Sequence, residues 1–213
     1  MVDPVIIVIG IIFIIIVAMI IVGLFYFNRV VPAQPLITDF GLTIRTPNNL
    51  YMSIENINIP SEEENDIFPI ITLKSLATGQ PPEPTEGWYL DRVTNATTAN
   101  ANLVTFFNPS NSGYITYTVD ANNNIVNNII RADAITKPPD PVPGVPESFR
   151  GWFEVMQNSV DKTTTFKSLY PGPIRGQPQY LIAGNLGQVS VNPNLIPVTI
   201  GIPTNNNNIW IVG

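Results

Sequence analysis

Histidine and cysteine are both absent from this 213-residue chain. Their absence removes the commonest general base, the usual nitrogen and sulfur metal ligands and the thiol nucleophile. No GxxxxGK[ST] loop is present, and no GxGxxG follows a strand, so there is no phosphate cradle. Carboxylates are what is left. Ser61-Glu-Glu-Glu-Asn-Asp66 is the acidic cluster, and calcium-like cations take oxygen ligands of that kind. It lacks the glycine and the alternating ligand positions of an EF-hand loop, so we read it as a solvated loop. The expectation is no catalytic residue, no cofactor, no bound metal and no enzymatic activity.

A different chemistry is suggested by Asp91 and Arg92, which lie beside Trp88 and Tyr89. Aromatic rings next to charged groups occur at carbohydrate and protein-interface sites. Adjacent strand residues point to opposite faces, so one of each pair should belong to the core. Trp88 and Tyr89 are therefore candidate partner-binding residues, with glycan as one partner class. Asn95-Ala-Thr97 is a glycosylation sequon that matters only if the domain faces a secretory lumen. Two proline-rich inserts, Pro81–Glu86 and Lys137–Pro146, cannot donate ladder hydrogen bonds. In the second, Pro138, Pro139, Pro141, Pro143 and Pro146 are further candidates for contact with a partner. That insert reads either as a surface loop of one domain or as an extended arm reaching a neighbour.

The elements that must position these residues are short. Leu42–Thr46, Tyr51–Ile54, Ile70–Ser75, Trp88–Val93, Leu103–Phe107 and Tyr114–Val119 are β-branched or aromatic runs bounded by Gly, Pro, Asn and Asp. Ile125-Val126, Ile129-Ile130, Trp152–Met156, Thr163–Lys167, Tyr180–Ala183, Gln188–Val191, Val198–Ile200 and Ile209–Val212 continue the series. No stretch beyond residue 30 keeps a 3.6-residue period for three turns. Residues 36–213 are predicted to form an all-β domain of ordinary size.

The N-terminus is of another kind. From Val5 to Phe27 there is no charged side chain, and as a helix these residues would reach about 35 Å, enough for a bilayer core of about 30 Å. Asp3-Pro4 suits a helix start, and no basic n-region or small-x-small cleavage site marks a removable signal. The predicted anchor, residues 1–30, is carried by Val5, Ile6, Ile7, Ile11, Ile12, Phe13, Ile14, Ile15, Ile16, Ile20, Ile21 and Leu24. Phe25, Tyr26, Phe27 and Arg29 stand at its interface. A stiff neck, Val31–Pro35, follows. The fold class expected is thus an all-β domain with one N-terminal transmembrane α-helix, placed as a single-pass membrane protein.

Net charge is −6, with the ten Lys and Arg scattered. That excludes a nucleic-acid partner, whose affinity would come from clustered cations.

A faint repeat runs through the domain. Lys74-Ser-Leu76 with Tyr89-Leu90 is echoed by Lys167-Ser-Leu169 with Tyr180-Leu181, and Leu42–Arg45 before Tyr51-Met52 is a shorter echo. Trp152–Val155, Thr165–Ser168, Tyr180–Ala183 and Gly187–Ser190 together resemble a lobe of fascin-like β-trefoils, in which a strand bearing Arg/Lys-Ser leads to a Tyr-Leu strand and a Gly-containing hairpin. The resemblance covers about fifty residues well and implies a trefoil-like fold, with a jelly-roll or immunoglobulin-like sandwich as the alternative.

In architecture and composition (anchor, short neck, no Cys or His, many Asn and Pro, long proline loops) the chain resembles membrane-anchored minor capsid proteins of large icosahedral double-stranded DNA viruses with an internal membrane. That resemblance implies a structural virion protein linking the inner lipid membrane to the capsid shell, with membrane and other capsid proteins as partners. A membrane-tethered module binding a glycan or a protein is the alternative.

Overall fold

In a computed structural model of the chain, the described residues are 41–60, 65–94, 97, 100–122, 125–126, 129–170, 176–189 and 192–213. The chain falls into two units, Met1–Pro35 and Leu36–Gly213, and every described residue lies in the second. In chain order the strands are β1 Leu42–Arg45, β2 Leu50–Pro60, β3 Asn65–Ser75, β4 Gly87–Arg92, β5 Leu103–Asn108 and β6 Gly113–Thr116. They continue as β7 Arg131–Ala134, β8 Phe153–Gln157, β9 Thr164–Ser168, β10 Gln179–Ala183, β11 Ile196–Gly201 and β12 Ile211–Val212.

Their pairing defines the architecture. β1 pairs with β4, β4 with β5, β5 with β8 and β8 with β9. The bridge Thr164–Trp210 carries β9 to the start of β12, and β12 returns to β1. This circuit closes a barrel of six strands. The other six form hairpins, β2–β3, β6–β7 and β10–β11. β3 touches both of the other hairpins, through Ile70–Arg131 on β7 and Leu73–Ile196 on β11. The sheet therefore also closes nine strands round by way of the first and third hairpins. Three successive lobes, β1–β4, β5–β8 and β9–β12, each give two strands to the barrel and one hairpin to its cap. This is the topology of a β-trefoil.

Register shows how closely the lobes correspond. Leu42, Val104 and Thr164 are the Cα partners of Trp88, Phe153 and Trp210. Two residues on stand Ile44, Phe106 and Phe166, each 0% exposed. Two further on stand Thr46, Asn108 and Ser168, all buried and polar. The two-residue step keeps each set on the inner face. The buried polar set ends the first strand of each lobe. Thr46 Oγ1 accepts from Leu50 N at 3.2 Å, Asn108 Oδ1 accepts from Asn111 N at 3.2 Å, and Ser168 Oγ donates to the Tyr170 carbonyl. Such local side-chain-to-backbone bonds satisfy the backbone where the chain leaves the barrel for the hairpin. Trp88 Nε1 donates to Met52 O at 2.9 Å and Trp210 Nε1 to Leu181 O at 3.0 Å, the same bond in the first and third lobes. Phe106 is the hub of the core. Its ring meets Phe166 at 5.0 Å, Phe153 at 5.2 Å and Trp88 at 6.4 Å, all edge-on, the geometry that ring quadrupoles favour.

Three expectations are corrected. The fold class is all-β: among the described residues helical structure is confined to 3-10 turns such as Pro84–Glu86 and Pro146–Phe149, and no helix is long and apolar enough to cross a membrane. The expected transmembrane helix, and the single-pass placement in a virion inner membrane that rested on it, are withdrawn on that finding; the residues named for it, Val5 to Phe27 and Arg29, lie outside the described residues. The sandwich alternative fails because the barrel closes through three equivalent lobes. The main repeat was also out of register. Lys74-Ser75 ends β3 whereas Lys167-Ser168 ends β9, so the repeat matches a hairpin strand to a barrel strand. The shorter echo is the structural one, since Tyr51-Met52, Tyr114-Ile115 and Tyr180-Leu181 occupy equal places in β2, β6 and β10.

Candidate functional site

The barrel's outer face carries three rows that the topology makes equivalent. Each joins the last strand of one lobe to the first two of the next. They are Ile211–Arg45–Tyr51, Tyr89–Phe107–Tyr114 and Glu154–Lys167–Tyr180, all paired at Cα level. A tyrosine ends each row, and the other members decide its chemistry. In the first, Arg45 donates to Asn49 Oδ1. In the third, Lys167 and Glu154 form an ion pair at 3.0 Å. The second is aromatic throughout: Phe107 lies 6.4 Å from Tyr89 and 4.8 Å from Tyr114, with ring planes tilted by 43° and 45°. All three of its rings are half-buried, so each is held from below and open above.

One carboxylate borders this row. Tyr114 Oη donates to Asp91 Oδ2 at 2.6 Å. Tyr114 is on β6 and Asp91 on β4, with β5 between. Strands lie about 4.8 Å apart, so the bond spans about 10 Å of backbone and the tyrosine ring must lie across β5. Burial, and then the Asp91 carboxylate, push the Tyr114 hydroxyl up to about 12, so it is a committed proton donor at neutral pH. In β5, opposite Asp91, stands Thr105, 0% exposed. Its equivalents Thr43 and Thr165 donate to backbone carbonyls of the neighbouring strand, Gly213 at 2.9 Å and Met156 at 3.5 Å. The Thr105 hydroxyl has no hydrogen-bond partner among the described residues.

The Asp91 end of the row is walled by the long proline insert. Trp152, preceding β8, is wholly buried beneath it: its Nε1 donates to Pro139 O at 2.9 Å, and Lys137 Nζ lies 5.5 Å over its ring. Lys137 also donates to the Arg92 carbonyl, and both Asp140 oxygens accept from Thr94 N, at 3.1 and 3.0 Å. Ser148 closes the tip, its Oγ accepting from Val142 N at 2.8 Å and donating to Val145 O at 2.7 Å. Lys137–Pro146 is thus a loop bonded to its own domain rather than an extended arm. Pro138 and Pro141 are half-buried in it, while Pro139, Pro143 and Pro146 are exposed.

Of the candidate pair, Trp88 and Tyr89, the structure divides the roles. Trp88 is fully buried and bonded to Met52, so it is core and offers nothing to a partner. Tyr89 faces outward in the aromatic row. Phe107 and Tyr114 are not singled out by the sequence; each is one of two aromatic residues in its strand-like run, and only cross-strand register brings it to Tyr89. The acidic positions 61–64 and the sequon's Asn95 lie outside the described residues, and no group of three or more metal-ligating side chains occurs among those described.

Behind the loop a second tyrosine is strongly perturbed. Tyr117 Oη donates to the Tyr170 carbonyl and accepts from Gly151 N at 3.1 Å. Burial pushes it up to about 12. Both perturbed tyrosines are raised above the ordinary value of about 10, so the neutral form is the one the fold favours. Their contribution to stability is complete below about pH 10 and is lost as pH rises through about 12. Denaturant midpoints measured from pH 8 to 12 should be level with respect to these groups at first and fall in that alkaline window. Tyr117→Phe should shrink the fall and lower stability by about 1–3 kcal/mol at pH 8, because Gly151 N–H is left without its acceptor.

No protein-family model matches the chain, and no curated protein matches its sequence. Its fold does have solved relatives. The SDF2-like protein from Arabidopsis thaliana is similar with a TM-score of 0.50 at 8% identity, over 81% of this chain and 91% of that one. The likeness is one of fold. The Haemophilus ducreyi cytolethal distending toxin (TM-score 0.47, 12% identity, 87% and 88% covered) is similar at a lower level. So is the Macrolepiota procera ricin B-like lectin in complex with lactose (0.44, 11%, 83% and 96%). At such identities no function passes from any of them to this chain.

Proposed function

We propose that the domain is a non-catalytic binding module whose ligand is a saccharide, taken on the row Tyr89–Phe107–Tyr114 beside Asp91. One observation carries this reading. Of three rows that the fold makes equivalent, one alone is aromatic throughout, half-open and edged by a carboxylate. Core packing does not require these rings, since the inner face is filled by Ile44, Phe106, Phe166, Trp88 and Trp210. Tilted, rigid aromatic faces suit the apolar C–H face of a sugar ring, and a carboxylate beside them suits its hydroxyls. The membrane-to-capsid role is set aside along with the span on which it depended.

The test is a glycan array followed by calorimetry on the best ligand. Phe107→Ala should weaken binding at least tenfold, equivalent to about 1.4 kcal/mol. Lys167→Ala, at the matching place in the third lobe, should leave it unchanged. Binding that ignores Phe107, or no saccharide ligand at all, would refute the assignment.

A further inference from the structure

We infer that the site selects neutral saccharides presenting two adjacent hydroxyls, a vicinal diol, and refuses acidic ones; the inference rests on the saccharide reading above. It comes from counting donors and acceptors at the polar end of the row. An ionised carboxylate only accepts. Asp91 Oδ2 already accepts the Tyr114 hydrogen bond, which leaves its other oxygen, Oδ1, to accept from a ligand. Tyr114 Oη, having given its hydrogen to Asp91, has lone-pair capacity left and no hydrogen to offer. Two acceptors are therefore left to a ligand, Oδ1 and Tyr114 Oη, on either side of the 2.6 Å bond between Oη and Oδ2. The ligand that completes them must bring two hydrogens at a matching separation. Neighbouring hydroxyls on one sugar ring do so, while its C–H face rests on Phe107 and Tyr89.

The same count explains the refusal. A carboxylate or sulfate on the ligand would bring acceptors to acceptors and negative charge to Asp91. Like charges facing across a site cost affinity and discriminate between ligands. A cation could reverse this, but Lys137, the basic group of the adjoining loop, donates to the Arg92 carbonyl and covers Trp152. The sister rows are occupied otherwise, with Arg45 and Lys167 at the place of Phe107. Thr105 marks the same departure. It is the member of its threonine set whose hydroxyl is not committed to the neighbouring strand, and it is buried opposite Asp91. The second lobe differs from the others in its polar end as well as in its rings.

The experiment uses the full chain with detergent present throughout, and calorimetry at neutral pH. Probes are a neutral hexoside identified on the array, its two mono-O-methyl ethers at the adjacent hydroxyls, and its uronic acid and sulfated counterparts. Blocking either hydroxyl should cost tenfold or more, and both acidic forms should bind at least tenfold more weakly than the neutral one. Asp91→Asn, which replaces one acceptor by a donor, should lose tenfold or more; Tyr114→Phe should lose several-fold while keeping its ring. Thermal melts of both variants confirm folding, and the ligand series needs no variant at all. Acidic ligands binding as well as neutral ones, or methyl ethers binding undiminished while Phe107→Ala still abolishes binding, would overturn the diol inference and leave the platform standing. If Phe107→Ala changes nothing, or no probe binds, the platform reading fails and the inference with it.

Discussion

Phe106→Ala is expected to lower the stability of the domain by about 3–5 kcal/mol, the range for removing a buried aromatic ring from a packed core. Such a loss is a large share of the roughly 5–15 kcal/mol that a domain of this kind has in total. The expectation is at the top of the range because of where the ring lies. Phe106 is 0% exposed and its edge contacts reach one residue from each of three other barrel strands, Trp88 of β4, Phe153 of β8 and Phe166 of β9. Those partners are themselves fully buried, so the space left by the ring cannot be filled by one neighbour swinging in from the surface. Urea unfolding with and without the substitution measures the difference. Val160→Ala, at a side chain 89% exposed, is the comparison and should lie within about 0.5 kcal/mol of the parent. A loss below 1 kcal/mol at Phe106 would mean that the three lobes do not share one core.

Much of the barrel is legible in the sequence, and the reason is local. Leu42–Thr46, Trp88–Val93, Leu103–Phe107, Trp152–Met156 and Thr163–Lys167 are β-forming runs cut off by turn residues, and each matches a barrel strand to within one residue at either end. What failed was whatever depended on partners. Arg131–Ala134 has little intrinsic strand preference and becomes β7 because it pairs with β3 and β6. Gln188 and Val189 look like part of a strand yet lie in the connection between β10 and β11. The repeat was misaligned because similar residues recur on both hairpin and barrel strands, and only register separates them. At the site, strand alternation correctly implied that one of Trp88 and Tyr89 would be core, but not which. The rest of the platform was hidden for the same reason. Phe107 and Tyr114 join Tyr89 through pairings that no single segment encodes. The N-terminal apolar run is legible only as hydrophobicity, and it lies outside the described residues.

Gly113→Ala is expected to damage fold and site together. Gly113 begins β6 and precedes Tyr114. A Cβ at this position would stand 1.8 Å from Ala132 O, 2.5 Å from Ala132 C and 3.0 Å from Asp133 N. All three are backbone atoms of β7, so no rotamer change can make room, and the two strands must move apart. They are joined through Tyr114–Ala134 and Thr116–Arg131 across an irregular register, which leaves few bonds to resist the displacement. The same Ala132 carbonyl accepts from Asn111 Nδ2 at 2.7 Å, tying the preceding turn to β7, and that bond is lost as well. A loss of about 3 kcal/mol or more is expected, at the upper end for overpacking because the clash is with main chain. Shifting β6 also moves the Tyr114 ring off β5 and opens its 2.6 Å bond to Asp91, so saccharide affinity should fall with stability. Gly144→Ala separates the two ways a glycine can be required. That residue has φ +82° with nothing within 4 Å of an added Cβ. It should cost only the about 1–2 kcal/mol of a left-handed backbone and leave binding intact. Thermal melts and calorimetry on both variants check the pair, and a Gly113→Ala protein that melts and binds like the parent would show that β6 is not held against β7 as described.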